Sequence, residues 1–442
     1  MEISNVTKSS RRVVIVGAGF AGLHCAKTLS RNEGLRVTLI DRHNYQQFQP
    51  LLYQVATGTL SPENAAFNLR EIFAGTENVD IRTTEIVSVD VKQRSATDRN
   101  GNIFEGDYLV LAAGTEANFF HIPGAQEYAL PMYSLQDAEK LRSRFLKLLD
   151  TSDLNSKDDP SSAISVVVIG GGATGVETAG AIADFFRRSP NHLFADLDLT
   201  KASITIVDMA QTVLPPFSSE SQAYAKRILA DRGVTLRLGT PVKEITQHAV
   251  ILADGSILPA RLIIWAGGLK AASLSSAVAI PAGHGGRLDV APELCLPGHP
   301  NVFVLGDFAN TKDASGGYLP QLGSVAQQAG RHCARNIIAD VEGEPRTAFS
   351  YFDKGMMAMV GRDAAVAEVG PRHIPISGPL AFAAWLGVHA VLLTTARAQM
   401  EALVEWGWDY IAGSRVSAIL DDPEETGAAR TGAGVAGPLS HG

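Results

Sequence analysis

Arg12–Leu29, RVVIVGAGFAGLHCAKTL, is the stretch on which the fold turns. Val13 to Val16 form a short apolar run, β-branched throughout, of the kind that makes a strand buried on both faces of a parallel sheet. Gly17-Ala18-Gly19-Phe20-Ala21-Gly22 fits G-x-G-x-x-G, and Leu23 to Leu29 continue with helical spacing. In such a turn the first glycine permits the bend and the second lets backbone N–H groups approach a pyrophosphate. The third lets helix and strand pack closely, so the phosphates sit at the positive end of the helix dipole. Arg36 to Ile40 read as the next strand, closed by Asp41, which lies 41 − 17 = 24 positions past the first glycine. That is near the offset, roughly 20 residues, at which a carboxylate meets ribose hydroxyls. A plain tight turn would also satisfy the glycines alone. Strand, helix, second strand and terminal acid together point to dinucleotide binding.

The unit then recurs. Val166 to Ile169 make a strand, Gly170-Gly171-Gly172-Ala173-Thr174-Gly175 the turn, Val176 to Phe186 a helix, and Ser203 to Val207 a strand closed by Asp208. The offset is 208 − 170 = 38, and the polar insert Ser189 to Lys201 accounts for the excess. A duplication with one site lost is the competing reading. Asp208 favours a free ribose 2′-hydroxyl, because a 2′-phosphate would call for a nearby arginine and Met209 to Phe217 contain no base. NADH is therefore expected over NADPH.

Between and after the two units, several stretches suit cofactor contact. Tyr45 to Phe73 is aromatic and glutamine-rich; it fits a flavin pocket or a cap on the sheet edge. Tyr108 to Ala113 read as a strand ending in Gly114-Thr115, where a small backbone can lie against a cofactor. Leu262 to Trp265 run into Ala266-Gly267-Gly268, and Val302 to Leu305 into Gly306-Asp307. Asp307 suits flavin ribityl hydroxyls, or is a surface turn residue. Ser324 to Ile338 are helical, with Gln327 and Gln328 near the start.

The chain has 442 residues, for which about three domains is the prior. A net charge of −8 with no Lys/Arg block argues against nucleic acid as partner. Cys25, Cys295 and Cys333 are far apart and show no metal or C-x-x-C spacing, so neither a metal nor a disulfide framework is expected. The first twelve residues contain no apolar core of a secretory signal.

In this order the motifs resemble the type II NADH dehydrogenases, single-chain NADH:quinone oxidoreductases of the two-dinucleotide-binding-domain flavoprotein class. The resemblance runs from about Arg12 to Gly413. Its class-level parts are the two glycine turns, Ala112-Ala113-Gly114-Thr115 and Gly306-Asp307. Its family-level parts are FQPLLYQVATG (Phe48 to Gly58), Gly170 to Glu177 and LPQLGSVAQQAG (Leu319 to Gly330), with DKGMMAMVGR (Asp353 to Arg362), AWLGVH (Ala384 to His389) and WGWDY (Trp406 to Tyr410).

The resemblance implies an α/β chain of two Rossmann-like dinucleotide-binding domains, similar to the pyridine nucleotide-disulfide reductases, plus a C-terminal helical membrane-associating segment. Residues 11–150 and 291–375 would form the FAD-binding domain, 161–290 the NADH-binding domain, 376–420 the anchoring helices and 421–442 a disordered tail. Non-covalent FAD would lie on Gly17, Gly19, Gly22 and Asp41, with Ala113, Gly114 and Asp307 completing its site. NADH would lie on Gly170, Gly172, Gly175 and Asp208, with Gly267 beside it. Glu177 matches the family's acidic residue two places after the last glycine, where nicotinamide and flavin meet; a solvated helix carboxylate is the plain alternative. Gln327 and Gln328 are the candidates for the quinone side, Gln328 matching the family's later glutamine. Two departures stand out. Gly323-Ser324 replace an Ala-Gln pair, and Thr395 to Gln399, TARAQ, replace a more basic run.

The implied activity is transfer of hydride from NADH to FAD and then of electrons to a membrane quinone in a respiratory chain, without proton pumping. The place is the cytoplasmic face of the cell membrane, as a peripheral protein; a homodimer stays open. Sulfide:quinone oxidoreductases share the fold but need a cysteine pair by the flavin, and disulfide reductases need C-x4-C where Arg42 to Val55 hold no cysteine. A slow-turnover redox sensor is the non-enzymatic alternative.

Ile374 to Ala396 contain no Asp, Glu, Lys or Arg, and Leu380 to Ala396 is 17 residues, the short edge of a bilayer span. Met400 to Ile411 mix acids with Trp406, Trp408 and Tyr410, which suits a helix lying in the headgroup region. A surface anchor, a helical pair packed on the body or a dimer mate, and a true span are the three readings. On the first, a chain cut before Pro379 keeps both nucleotide domains.

Overall fold

The computed structural model describes residues 10–155, 163–188, 197, 199–278, 280–393 and 395–412. The strand Arg11–Val16 lies inside a six-stranded sheet, parallel to Leu35–Asp41 on one side and Tyr108–Leu111 on the other. Val79–Thr83 extends the first side; His299–Val304 and Cys295–Leu296 extend the second. Val13 to Val16 are buried, as a run with no polar alternation requires. Helix α1 (Phe20–Leu29) follows the first glycine turn and buries Leu23, Cys25, Ala26 and Leu29. Helix α2 (Leu52–Ala56), inside the aromatic stretch, has all five residues buried.

The second unit repeats this order. Ser165–Ile169 is parallel to Ser203–Asp208 and to Leu262–Trp265, with Val234–Leu238 beyond the former. Its other edge is Leu130–Pro131, two residues from the stretch expected in the first domain. Helix α3 (Ala173–Arg188) follows the second glycine turn.

Each unit's helix is covered by a different element. Helix α4 (Gly323–Glu342) lies on α1 so closely that a Cβ on Gly330 would fall 2.1 Å from the Ala21 carbonyl oxygen. On α3 lies an antiparallel sheet of Gly355–Gly361, Ala364–Val369 and Ile374–Gly378, where a Cβ on Gly180 would fall 2.3 Å from the Val360 oxygen.

Two helices close the described chain, α5 (Pro379–Leu392) and α6 (Ala396–Ala412). Ala381, Trp385 and His389, four residues apart, face inward and are buried; Leu380, Val388 and Val391 are exposed. Trp385 belongs to the same core as Val166 and Val176 of the second unit. Cutting before Pro379 would thus open that core. No described helix is long and apolar enough to cross a membrane. The expected tail, 421–442, lies outside the described residues, as do 156–162 of the linker and most of the insert after α3.

Candidate active site

The two glycine turns are built alike. Gly17 and Gly170 have φ of +100° and +113°, and a Cβ on either would lie 2.2 or 2.3 Å from the carbonyl oxygen of Ala112 or Ala266. Only glycine fits there, on conformation and on space. The third glycines, Gly22 and Gly175, each pack 1.8 Å (as an added Cβ) from the oxygen of the first. The middle glycines differ from both. Nothing lies within 4 Å of a Cβ on Gly19 or on Gly172, so each faces open space at a helix N-terminus. That is the room a pyrophosphate takes.

The closing acids brace both turns. Asp41 accepts from the N–H groups of Ala18 (2.7 Å) and His43 (2.8 Å); Asp208 accepts from Gly171 (2.5 Å) and Ala210 (2.7 Å). A carboxylate has about four acceptor positions, so each keeps room for a ribose diol. Burial pushes the Asp41 carboxyl up, while its two backbone donors pull it down.

Asp307 sits at the head of a short turn, Gly306–Phe308, after the strand His299–Val304. Burial pushes its carboxyl up to about 6, with Arg287 opposing, and no described residue hydrogen-bonds to it. A hydroxyl-rich ligand such as a ribityl chain would supply the partner. Gly114 has φ +68° and open space beside it, and Ala112 lies against the first turn; these residues fit FAD. Gly267 instead packs on the Trp265 ring, 3.1 Å from an added Cβ.

Glu177, on the first turns of α3, is buried, so the solvated alternative does not hold. Its Oε1 accepts from the Met359 N–H (3.1 Å). Burial pushes its pKa up to about 8, with the Met359 N–H opposing. The carboxyl is therefore mostly protonated at neutral pH. Tyr53 is buried nearby and accepts from Gln54 Nε2 (3.0 Å), while Gln54 Oε1 accepts from Trp406 Nε1 (2.9 Å). A cavity of about 120 Å³ opens here, lined by Tyr53, Glu177, Phe185, Phe382 and Trp406 among others.

The two glutamines of α4 part company. Gln327 is buried; Gln328 has both amide ends on the backbone of Phe352, at 2.9 and 3.0 Å. Residues that the sequence did not single out also meet here: Tyr53, Gln54, Met359 and Trp385. The i, i+4 pair Trp385 and His389 in AWLGVH shares one helix face, but the sequence does not say what that face meets. Cys25 and Cys333, distant in sequence, lie on the packed helices α1 and α4. Both are fully buried in helix packing, and burial pushes the Cys333 thiol well up. Among the described residues no cluster could hold a metal ion.

Residues 11–330 match the family model of the pyridine nucleotide-disulphide oxidoreductases. A type II NADH:quinone oxidoreductase of Mycobacterium tuberculosis is 32% identical over 428 residues, covering 93% of this chain and 91% of that one. The structure of NDH2 from Plasmodium falciparum in complex with NADH matches with a TM-score of 0.83 at 20% identity, over 92% of this chain and 99% of that one. The sulfide:quinone oxidoreductase of Aquifex aeolicus shares the fold less closely, with a TM-score of 0.69 at 17% identity over 96% of each chain. By sequence the chain belongs to the type II NADH:quinone oxidoreductases, within the pyridine nucleotide-disulphide oxidoreductase family.

Proposed function

We propose that the chain oxidises NADH and reduces a membrane quinone, NADH + H⁺ + Q → NAD⁺ + QH₂, with FAD in the first glycine cradle and NADH in the second. The observation that carries this reading is the matched pair of cradles, each with open space at its middle glycine and a braced acid beside it. FAD, when bound, supplies a two-electron acceptor that takes hydride from NADH and passes electrons to the quinone.

The chain's own residues bind and orient. The FAD is held within 11–150 and 291–375, less the edge strand Leu130–Pro131 and the sheet Gly355–Gly378 that lie with the second unit, and the NADH within 161–290. Gly19 and Gly172 leave room for the pyrophosphates, Asp41 and Asp208 accept ribose hydroxyls, and Asp307 takes the ribityl chain. Ala113 and Gly114 offer backbone along the FAD, and Gly267 closes the NADH side. Glu177 offers a protonated carboxyl where the nucleotides meet. Gln327, buried on α4, is the glutamine left for the quinone side, because Gln328 is spent on Phe352.

The protein works on the cytoplasmic face of the membrane. Leu380, Val388 and Val391 of α5 and Met400, Leu403 and Val404 of α6 are exposed apolar side chains on adjoining helices. Burying three or four of them at about 1.5–3 kcal/mol each is enough for reversible docking. Phospholipid vesicles should carry the protein up a density gradient, and Val391→Glu with Val404→Glu should leave it at the bottom. Equal flotation of the double variant would remove the docking face. The whole reading is tested by steady-state NADH oxidation with and without a soluble quinone. NADH consumption should depend on the quinone; turnover with sulfide but not NADH, or with neither, would overturn it.

A further inference from the structure

An indole has one polar hydrogen and no acceptor, and Trp406 thereby fixes the polarity of a short hydrogen-bond chain. Its Nε1 donates to Gln54 Oε1 at 2.9 Å. The other end of that amide must then be the donor, and Nε2 meets the Tyr53 hydroxyl at 3.0 Å. Tyr53 Oη accepts there, so its own hydrogen goes elsewhere. Among the described residues none accepts it. The chain is held in place from several sides. Thr57 Oγ1 donates to the Tyr53 carbonyl oxygen and the Thr59 N–H to that of Gln54, each at 2.9 Å. Ser61 Oγ donates to Glu405 Oε1 at 3.0 Å, one residue before Trp406 on α6. Trp385 meets the Tyr53 ring edge-on, with centroids 6.2 Å apart. Tyr53, Gln54 and Trp406 all line the cavity of about 120 Å³, whose other walls include Glu177, Phe382 and Leu386. It lies between the Glu177 carboxyl and the two helices whose outer faces expose Leu380, Val391 and Val404.

We propose that the Tyr53 hydroxyl donates a hydrogen bond to a carbonyl oxygen of the quinone, and that Gln54 and Trp406 are positioning residues that keep this hydrogen available. The inference rests on the reading of the chain as a quinone reductase and deepens it: the electron acceptor is recognised by its carbonyl, inside this cavity. Aromatic and aliphatic walls suit a flat apolar ring, and a single uncommitted hydroxyl suits one acceptor atom on it. A quinone oxygen gains negative charge as the ring takes electrons, so a donor aimed at it favours the reduction. Burial pushes the Tyr53 phenol well above its ordinary value, so it keeps its hydrogen and acts as a donor rather than an acid. Tyr53 ends the reaction as it began it, and the balance stays NADH + H⁺ + Q → NAD⁺ + QH₂. Without the Trp406 indole, the Gln54 amide is free to turn over, present its oxygen and take the Tyr53 hydrogen for itself.

The test follows flavin absorbance in the FAD-loaded full chain, mixed without oxygen first with NADH and then with a water-soluble benzoquinone. Tyr53→Phe keeps the ring and loses the donor, so quinone should re-oxidise its flavin about tenfold more slowly. The NADH step should stay within about twofold of wild type, and so should re-oxidation by ferricyanide, a charged acceptor unsuited to an apolar cavity. Trp406→Phe should slow the quinone step about threefold, and should add nothing on the Tyr53→Phe background. Equal quinone rates in wild type and Tyr53→Phe overturn the proposal. So does a loss that falls on the NADH step, which would give the hydroxyl to the nicotinamide. Additive losses in the double variant overturn the positioning role of Trp406. If Tyr53→Phe does not hold FAD, Trp406→Phe decides alone: a quinone step as fast as wild type contradicts the proposal. A wild-type flavin that the quinone never re-oxidises would instead remove the reading on which the proposal rests.

Discussion

The two glycine cradles differ in almost nothing at the turn and in almost everything two residues later. Strand order, left-handed first glycine, open middle glycine and braced acid all repeat. Two positions past the third glycine, however, the first unit has His24 and the second has Glu177. His24 lies on α1, its Nδ1 2.9 Å from the Phe20 oxygen, and burial lowers its pKa to about 4. Glu177 lies under the C-terminal sheet and α5, and burial raises its pKa to about 8. Each group is therefore mostly neutral at pH 7, but only Glu177 is poised near it. The turn geometry repeats, and the units differ in what covers each helix.

The largest expected effect separates the cradles outright. Gly19→Leu should give protein without flavin colour, because a side chain fills the open space at the first turn. Gly172→Leu should keep stoichiometric FAD and raise the KM for NADH on the order of 100-fold, about 2.7 kcal/mol. Flavin absorbance and NADH kinetics on the two variants check this; the reverse pattern would exchange the assignments.

Next comes the cover. Trp385→Ala should cost about 3–5 kcal/mol of stability, as a large side chain is removed from a closed core. Urea unfolding checks it, and a loss below about 1 kcal/mol would mean that α5 sits loosely on the body.

Smaller still is the pH effect on stability. The folded-state pKa of Glu177 is raised, from 4.5 to about 8, so the folded chain holds a proton that the unfolded chain loses. The stability contributed by this proton fades as pH rises through that window. Glu177→Gln should therefore gain on wild type by about 1–3 kcal/mol between pH 5 and pH 9. His24→Gln should show no such trend above about pH 7.5, where His24 is neutral in the folded and the unfolded chain alike. Parallel unfolding curves at several pH values would reveal either failure.

The smallest concerns nucleotide choice. NADH should be preferred over NADPH by at least about tenfold in kcat/KM, about 1.4 kcal/mol, and Asp208→Ala with Met209→Arg should narrow the gap. Equal use of both nucleotides by wild type would remove the role of Asp208.

The cradles were legible in sequence because every part of them is local. A strand, three glycines, a helix and an acid within some 24 or 38 positions carry their geometry in their spacing. The covers were not. Leu380 to Ala396 has no charge, and an uncharged run looks the same whether bilayer or body receives it; Trp385 and His389 mark the inward face only once the partner is known. Gln327 and Gln328 are neighbours, and only packing against Phe352 tells them apart. The edge strand Leu130–Pro131 is too short to have a period.

The most direct measurement follows the colour of the flavin in a single oxygen-free experiment with the full chain. NADH should bleach the bound flavin, and a soluble quinone added afterwards should restore it, one quinone consumed per NADH. Bleaching that quinone fails to reverse, or flavin that NADH leaves yellow, would contradict the assignment of the two cradles to one relay.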